Sequence, residues 1–128
     1  MGFGRGVDWG LGRGVNPPRP SFRRAATEMS ADAEALATQE RAELVGLVVR
    51  AQRSEMAAQS ELVRRYTVRL SAFVRPILFQ PSAVEDVVQM VFIKMVRRLT
   101  LLRDPAVFES WLFRLARNTA VDFLRRRR

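Results

Sequence analysis

Apolar residues return every three or four positions along most of this chain, and no stretch alternates apolar with polar. That period matches the 3.6-residue turn of an α-helix and not a strand, whose side chains point to opposite faces in turn. The expected fold is therefore all-α. Around residues 39–54, Leu44, Leu47, Val48 and Ala51 share one face. Around 57–78, Leu62, Tyr66, Leu70, Phe73, Val74 and Ile77 do the same, with Pro76 placed to kink or stop the helix. Gln80-Pro81 is a break. Ser82 and Glu85 then read as a capping box, in which a hydroxyl and a carboxylate satisfy the first free amides of a third helix reaching about Leu99. After a connection at 100–103, Asp104-Pro105 signals the start of a fourth helix: a carboxylate N-cap, then a proline whose missing N–H costs nothing there. Short connections favour antiparallel neighbours, so residues 31–128 are expected to form a compact bundle of about four helices.

Residues 1–30 differ. Their first 24 positions hold six of the seven glycines, three of the six prolines and five arginines. Such a stretch buries too little apolar surface to offset its ordering entropy, and a disordered arm is expected. Two readings stand side by side. The arm tracks phosphates, or it is an upstream extension ahead of an alternative start at Met29.

Composition narrows the function. The 128 residues carry 22 basic against 13 acidic groups, a formal net charge of +9. Lys94 alone among the basic residues is a lysine. Arginine presents a planar fork suited to phosphates and to stacking on bases. A basic domain favours nucleic acid, an acidic protein or an anionic surface. There is no cysteine and no histidine. That excludes a disulfide framework, the usual zinc sites, and cysteine or histidine catalysis. The acids Glu85, Asp86, Asp104, Glu109 and Asp122 form no evident carboxylate pair, so neither an enzyme, a metal site nor a cofactor is expected. No run approaches the roughly 20 apolar residues of a membrane span, and no secretory signal is evident, so a cytoplasmic location is expected.

Two helices carry more than a core needs. In the third, Val84, Val87, Val88, Val91, Phe92, Met95, Val96 and Leu99 form a wide core stripe. Asp86, Gln89, Met90 and Ile93 share a second strip. An acid, an amide and two aliphatics together suit a protein interface, or else Met90 and Ile93 pack beneath the N-terminal helix. In the fourth, Phe108, Trp111, Leu112, Leu115, Ala116, Thr119, Phe123 and Leu124 point one way. Arg114, Arg117, Asn118, Val121 and Arg125 lie on or near the other side, followed by the basic run 125–128. The guanidinium groups can bind phosphates, with aromatic residues beside them to stack unpaired bases. The plainer alternative is a solvated face whose basic end offsets the helix dipole.

The segment Glu85-Asp86-Val87-Val88-Gln89-Met90-Val91-Phe92 resembles region 2.2 of extracytoplasmic-function sigma factors, the promoter-recognition subunits of bacterial RNA polymerase. Phe108, Trp111-Leu112, Ala116-Arg117-Asn118, Asp122 and Leu124-Arg125-Arg126 match the spacing of that family's promoter-reading helix. Leu62-Val63-Arg64-Arg65-Tyr66 resembles the opening of its region 2.1. The three motifs stand in order between about residues 51 and 128. The resemblance implies that Asp86 and Gln89, with Met90 and Ile93 beside them, dock on the clamp helices of the polymerase's largest subunit. It implies that the loop at 100–107, including Arg103, and Arg114, Arg117, Asn118 and Arg125 bind the minus-ten element as single-stranded DNA. Phe92, Phe108, Trp111 and Leu115 are expected to be structural, and an anti-sigma protein is a further expected partner. Met90 stands where the family usually has a glutamate, and Met95-Val96 replaces a frequent Ala-Trp. The helix-turn-helix domain of region 4 is not expected within these residues, which leaves a second reading open: a truncated decoy for polymerase or an anti-sigma protein.

Overall fold

The computed structural model describes residues 18–127, and all elements among them are helical. Helix α1 spans Pro18–Gln52, α2 Met56–Leu78, α3 Pro81–Arg98 and α4 Phe108–Arg126. Two 3₁₀ turns, Leu99–Leu101 and Pro105–Val107, lie between α3 and α4. The chain divides into two compact units, residues 1–40 and residues 41–128. In the first, the expected arm ends differently from its sequence boundary. Its first 17 residues lie outside the described ones, and 18–30 belong to α1. Pro18 opens that helix, where a proline is tolerated, and the alanine-containing stretch after it favours helix. Phe22, Met29 and Leu36 stand exposed there.

The second unit holds the core. Helices α2, α3 and α4 pack pairwise against one another. Their shared interior is built from Leu62, Leu70, Val74, Leu78, Val87, Val91, Met95, Phe108 and Leu112, with Leu47, Val48 and Ala51 from the end of α1. Each is 4% exposed or less, so the apolar period read from the sequence is the core-facing period.

The turns follow local chemistry. Helix α1 stops at Gln52, and Ser54 takes a left-handed φ of 68° that reverses the chain. Helix α2 runs two residues beyond Pro76 and ends at Phe79, whose φ is 56° and whose N–H donates to the carbonyl of Arg75. Pro76 removes one amide from the last turn, which weakens the helix near its end without stopping it at once. The expected capping box does not form. Gln80 is the N-cap of α3, Pro81 occupies the first helical turn, and no side chain caps the amides. Proline's fixed φ already starts the helix, which puts Ser82 inside it. Asp104 does cap as expected, accepting from the Ala106 N–H at 3.0 Å, but it caps the 3₁₀ turn that leads into α4.

A candidate nucleic-acid and protein interface

The inward side of α4 is fixed firmly, and this sets which residues face outward. Phe108 is fully buried and meets the Tyr66 ring edge-on at 5.6 Å between centroids. Leu112, Leu115 and Ala116 continue inward. Glu109, in the first turn of α4, is gripped from α2. The Tyr66 hydroxyl donates to it at 2.8 Å, and Arg69 donates at 2.9 and 3.3 Å. The Arg69 guanidinium also lies 5.2 Å from the centroids of the Tyr66 and Phe113 rings. Hydrogen bonding from Arg69 holds the Glu109 carboxyl below its ordinary range. Burial, then the bond to Glu109, pushes the Tyr66 hydroxyl up to about 12.

With that side locked, Arg114, Arg117 and Asn118 face solvent. Among the described residues neither arginine forms an ion pair. Arg125 is also exposed but lies 3.7 Å from Asp122. Trp111 is half-buried, tilted 41° to Phe108 at 5.9 Å. Expected on the apolar face, it instead borders the exposed one, three and seven positions before Arg114 and Asn118.

The loop before α4 adds further exposed residues. Leu99 and Leu102 are buried at 1% and 8% exposure, while Leu101 is 74% and Val107 47% exposed. Arg103 is exposed between them. Two exposed aliphatics beside free guanidinium groups can hold the apolar faces of bases and their phosphates together. The Gln52 side-chain amide reaches the base of this loop from the end of α1, donating to the carbonyls of Leu99 at 3.0 Å and Leu102 at 2.8 Å.

Helix α3 supplies a second surface. Asp86 and Gln89 are exposed and Ile93 is 51% exposed. Val96, expected in the core stripe, is 42% exposed and extends this strip; its position turns it between Phe92 and Arg97, away from Met95. Phe92 is half-buried rather than fully internal. Met90 departs further from its expected place. It packs against the core and lines a cleft of about 300 Å³ with Lys94, Thr119, Asp122 and Phe123 on the side facing α4. Position 90 sits at the flank of the strip, so its long flexible side chain folds toward apolar neighbours. In the same cleft the Lys94 ammonium donates to the Thr119 hydroxyl at 3.2 Å, and that hydroxyl donates to the Leu115 carbonyl at 2.7 Å.

Sequence reasoning missed Gln52 and the Tyr66–Arg69–Glu109 cluster. The cluster left one trace, an acid in the first turn of a helix, which favours that position by itself. Gln52 left none, since its partners lie 47 and 50 residues away. Among the described residues no three acids gather as metal ligands, and no helix is long and apolar enough to cross a membrane.

Fold and surfaces together define a small all-α domain with an arginine-faced final helix beside an anchored loop. The pattern of the Sigma-70 region 2 family matches residues 62–128, and the chain belongs to that family. The ECF RNA polymerase sigma-E factor of Escherichia coli strain K12 is 40% identical over 79 residues, covering 61% of this chain and 40% of that protein. The RNA polymerase sigma-H factor of Pseudomonas aeruginosa PAO1 is 35% identical over 78 residues, again 61% and 40%. The chain thus spans about two fifths of the length of these relatives. A solved structure, an engineered region 2 of sigmaE in complex with GTAAAA, superposes with a TM-score of 0.59 at 36% identity, covering 62% of this chain and 83% of that one.

Proposed function

We propose that this domain binds core RNA polymerase through α3 and recognises the minus-ten promoter element as single-stranded DNA through the loop at 99–107 and the outer face of α4. The observation that carries the DNA half is that Arg114 and Arg117 on α4, in no ion pair among the described residues, are exposed, as are Leu101 and Val107 in the loop that leads into that helix. Duplex DNA hides base faces, whereas this surface offers apolar contact and phosphate contact at once, which favours an unpaired strand. The similar sigmaE region bound to GTAAAA supports the same choice. Arg103, Arg114, Arg117 and Arg125 contact phosphates in this reading, and Asn118 reaches base edges. Asp86, Gln89 and Ile93 form the polymerase contact, with Met90 buttressing it from the flank.

Fluorescence anisotropy with labelled GTAAAA, a permuted hexamer and a random duplex tests the DNA half. The wild type should prefer single-stranded GTAAAA, and Asn118→Ala should weaken it roughly tenfold, the cost of one lost base contact. Equal affinity for all three probes overturns base readout. Pull-down with core polymerase tests the other half: Asp86→Ala with Gln89→Ala should lose binding while GTAAAA affinity stays unchanged.

A further inference from the structure

The loop at 99–107 is tied to the fold at a point that its own sequence does not supply. Leu99 ends α3 and opens a 3₁₀ turn, and at Leu102 the backbone leaves that turn for an extended conformation, φ −76° and ψ 112°. The Leu99 carbonyl already accepts the Leu102 N–H at 3.1 Å. The Leu102 carbonyl accepts no backbone bond in the turn. Gln52 meets both carbonyls with one amide nitrogen. Two acceptors require a two-proton donor, so the NH₂ group, and not the amide oxygen, must face the loop. Gln52 is itself held in place. It is the last residue of α1, and the reversal after it is closed by Arg53 N–H to Val49 O at 3.2 Å and Glu55 N–H to Arg50 O at 3.2 Å. At the loop's far end Asp104 caps Ala106, and the Ser110 hydroxyl donates to Val107 O at 3.1 Å.

We propose that Gln52 is a positioning residue for single-strand recognition: its two bonds to Leu99 and Leu102 hold Leu101 and Arg103 in the geometry that receives DNA. The inference rests on the DNA reading above. A loop ordered before binding loses less freedom when the strand arrives, and its contacts discriminate better between strands. Without the amide donor, the loop samples other arrangements and fits correct and incorrect strands more nearly alike.

Three variants of the full chain test this. Gln52→Met keeps length and removes both donors. Gln52→Lys restores a donor of similar reach. Gln59→Met removes a neighbouring bond, Nε2 to Ala51 O at 3.1 Å, which steadies the same corner without touching the loop. The readout is the ratio of affinities for GTAAAA and its permuted hexamer, with thermal midpoint measured alongside. Two neutral hydrogen bonds predict a fall in the ratio of about tenfold for Gln52→Met. Gln52→Lys should recover most of the ratio, although its added charge raises both affinities. Gln59→Met should lower the midpoint and leave the ratio intact. An unchanged ratio in Gln52→Met overturns the inference, as does a ratio that falls equally in Gln59→Met. If Gln52→Met does not fold, Gln52 serves the whole domain and the inference is equally overturned. A wild type with no preference for GTAAAA would instead refute the DNA reading itself.

Discussion

Replacing Glu109 with alanine should strand the Tyr66 hydroxyl. Tyr66 is only 3% exposed, and Glu109 is its acceptor. Arg69, by contrast, has a side chain 53% exposed, facing a Glu109 side chain 46% exposed. An ion pair so open to water contributes at most about 1 kcal/mol, and its arginine rehydrates when released. A buried hydroxyl left without a partner costs about 1–3 kcal/mol. The sum for Glu109→Ala is therefore about 2 kcal/mol, most of it from the tyrosine. For a domain below about 100 residues, that lowers the thermal midpoint by roughly 8–16 °C. The decisive assay is a double-mutant cycle by urea denaturation. Tyr66→Phe alone should cost less than about 1 kcal/mol, because Glu109 keeps Arg69. Adding Tyr66→Phe to Glu109→Ala should restore stability, since the stranded group is gone. If the double variant is less stable than Glu109→Ala, water has replaced the carboxylate and the reasoning fails.

The same cluster predicts two pH limits. Glu109 titrates below its ordinary 4.5 in the folded state, so its contribution is present above that pH and is lost as pH falls through the lower folded value. Tyr66 is raised from 10.0 to about 12, so stability is lost across that window as pH rises, and Tyr66→Phe should abolish the alkaline limb of a urea-midpoint titration. Arg114→Ala and Arg117→Ala should each reduce the salt slope of single-strand binding by about 0.7, as expected for one phosphate contact; an unchanged slope would remove that residue from the interface. Asp104→Ala should cost about 1 kcal/mol through loss of its cap, visible as a lower urea midpoint.

Long-period features were legible in the sequence and short-range competitions were not. Leu62, Tyr66, Leu70 and Val74 recur at helical spacing, and all four are buried. The choice between Pro81 and Ser82 as the start of α3 set two valid signals against each other, and proline's backbone constraint prevailed. Val96 and Met90 exchanged expectations for a geometric reason. Both sit near the boundary of the core stripe, where one turn's rotation decides burial, and spacing alone does not resolve that rotation. The exposed face of α4 was readable because Arg114, Arg117 and Asn118 cannot replace Phe108 and Leu112 inside. The anchor at Gln52 was not, since it depends on where the end of α1 arrives in space.

Lys94 has a practical consequence. It is the chain's lone lysine, half-buried where α3 meets α4 and hydrogen-bonded to Thr119. Apart from the terminal amine, any amine-directed reagent therefore reports on a single place. Its acylation rate becomes a clock for the parting of α3 from α4, read by mass spectrometry without altering a residue.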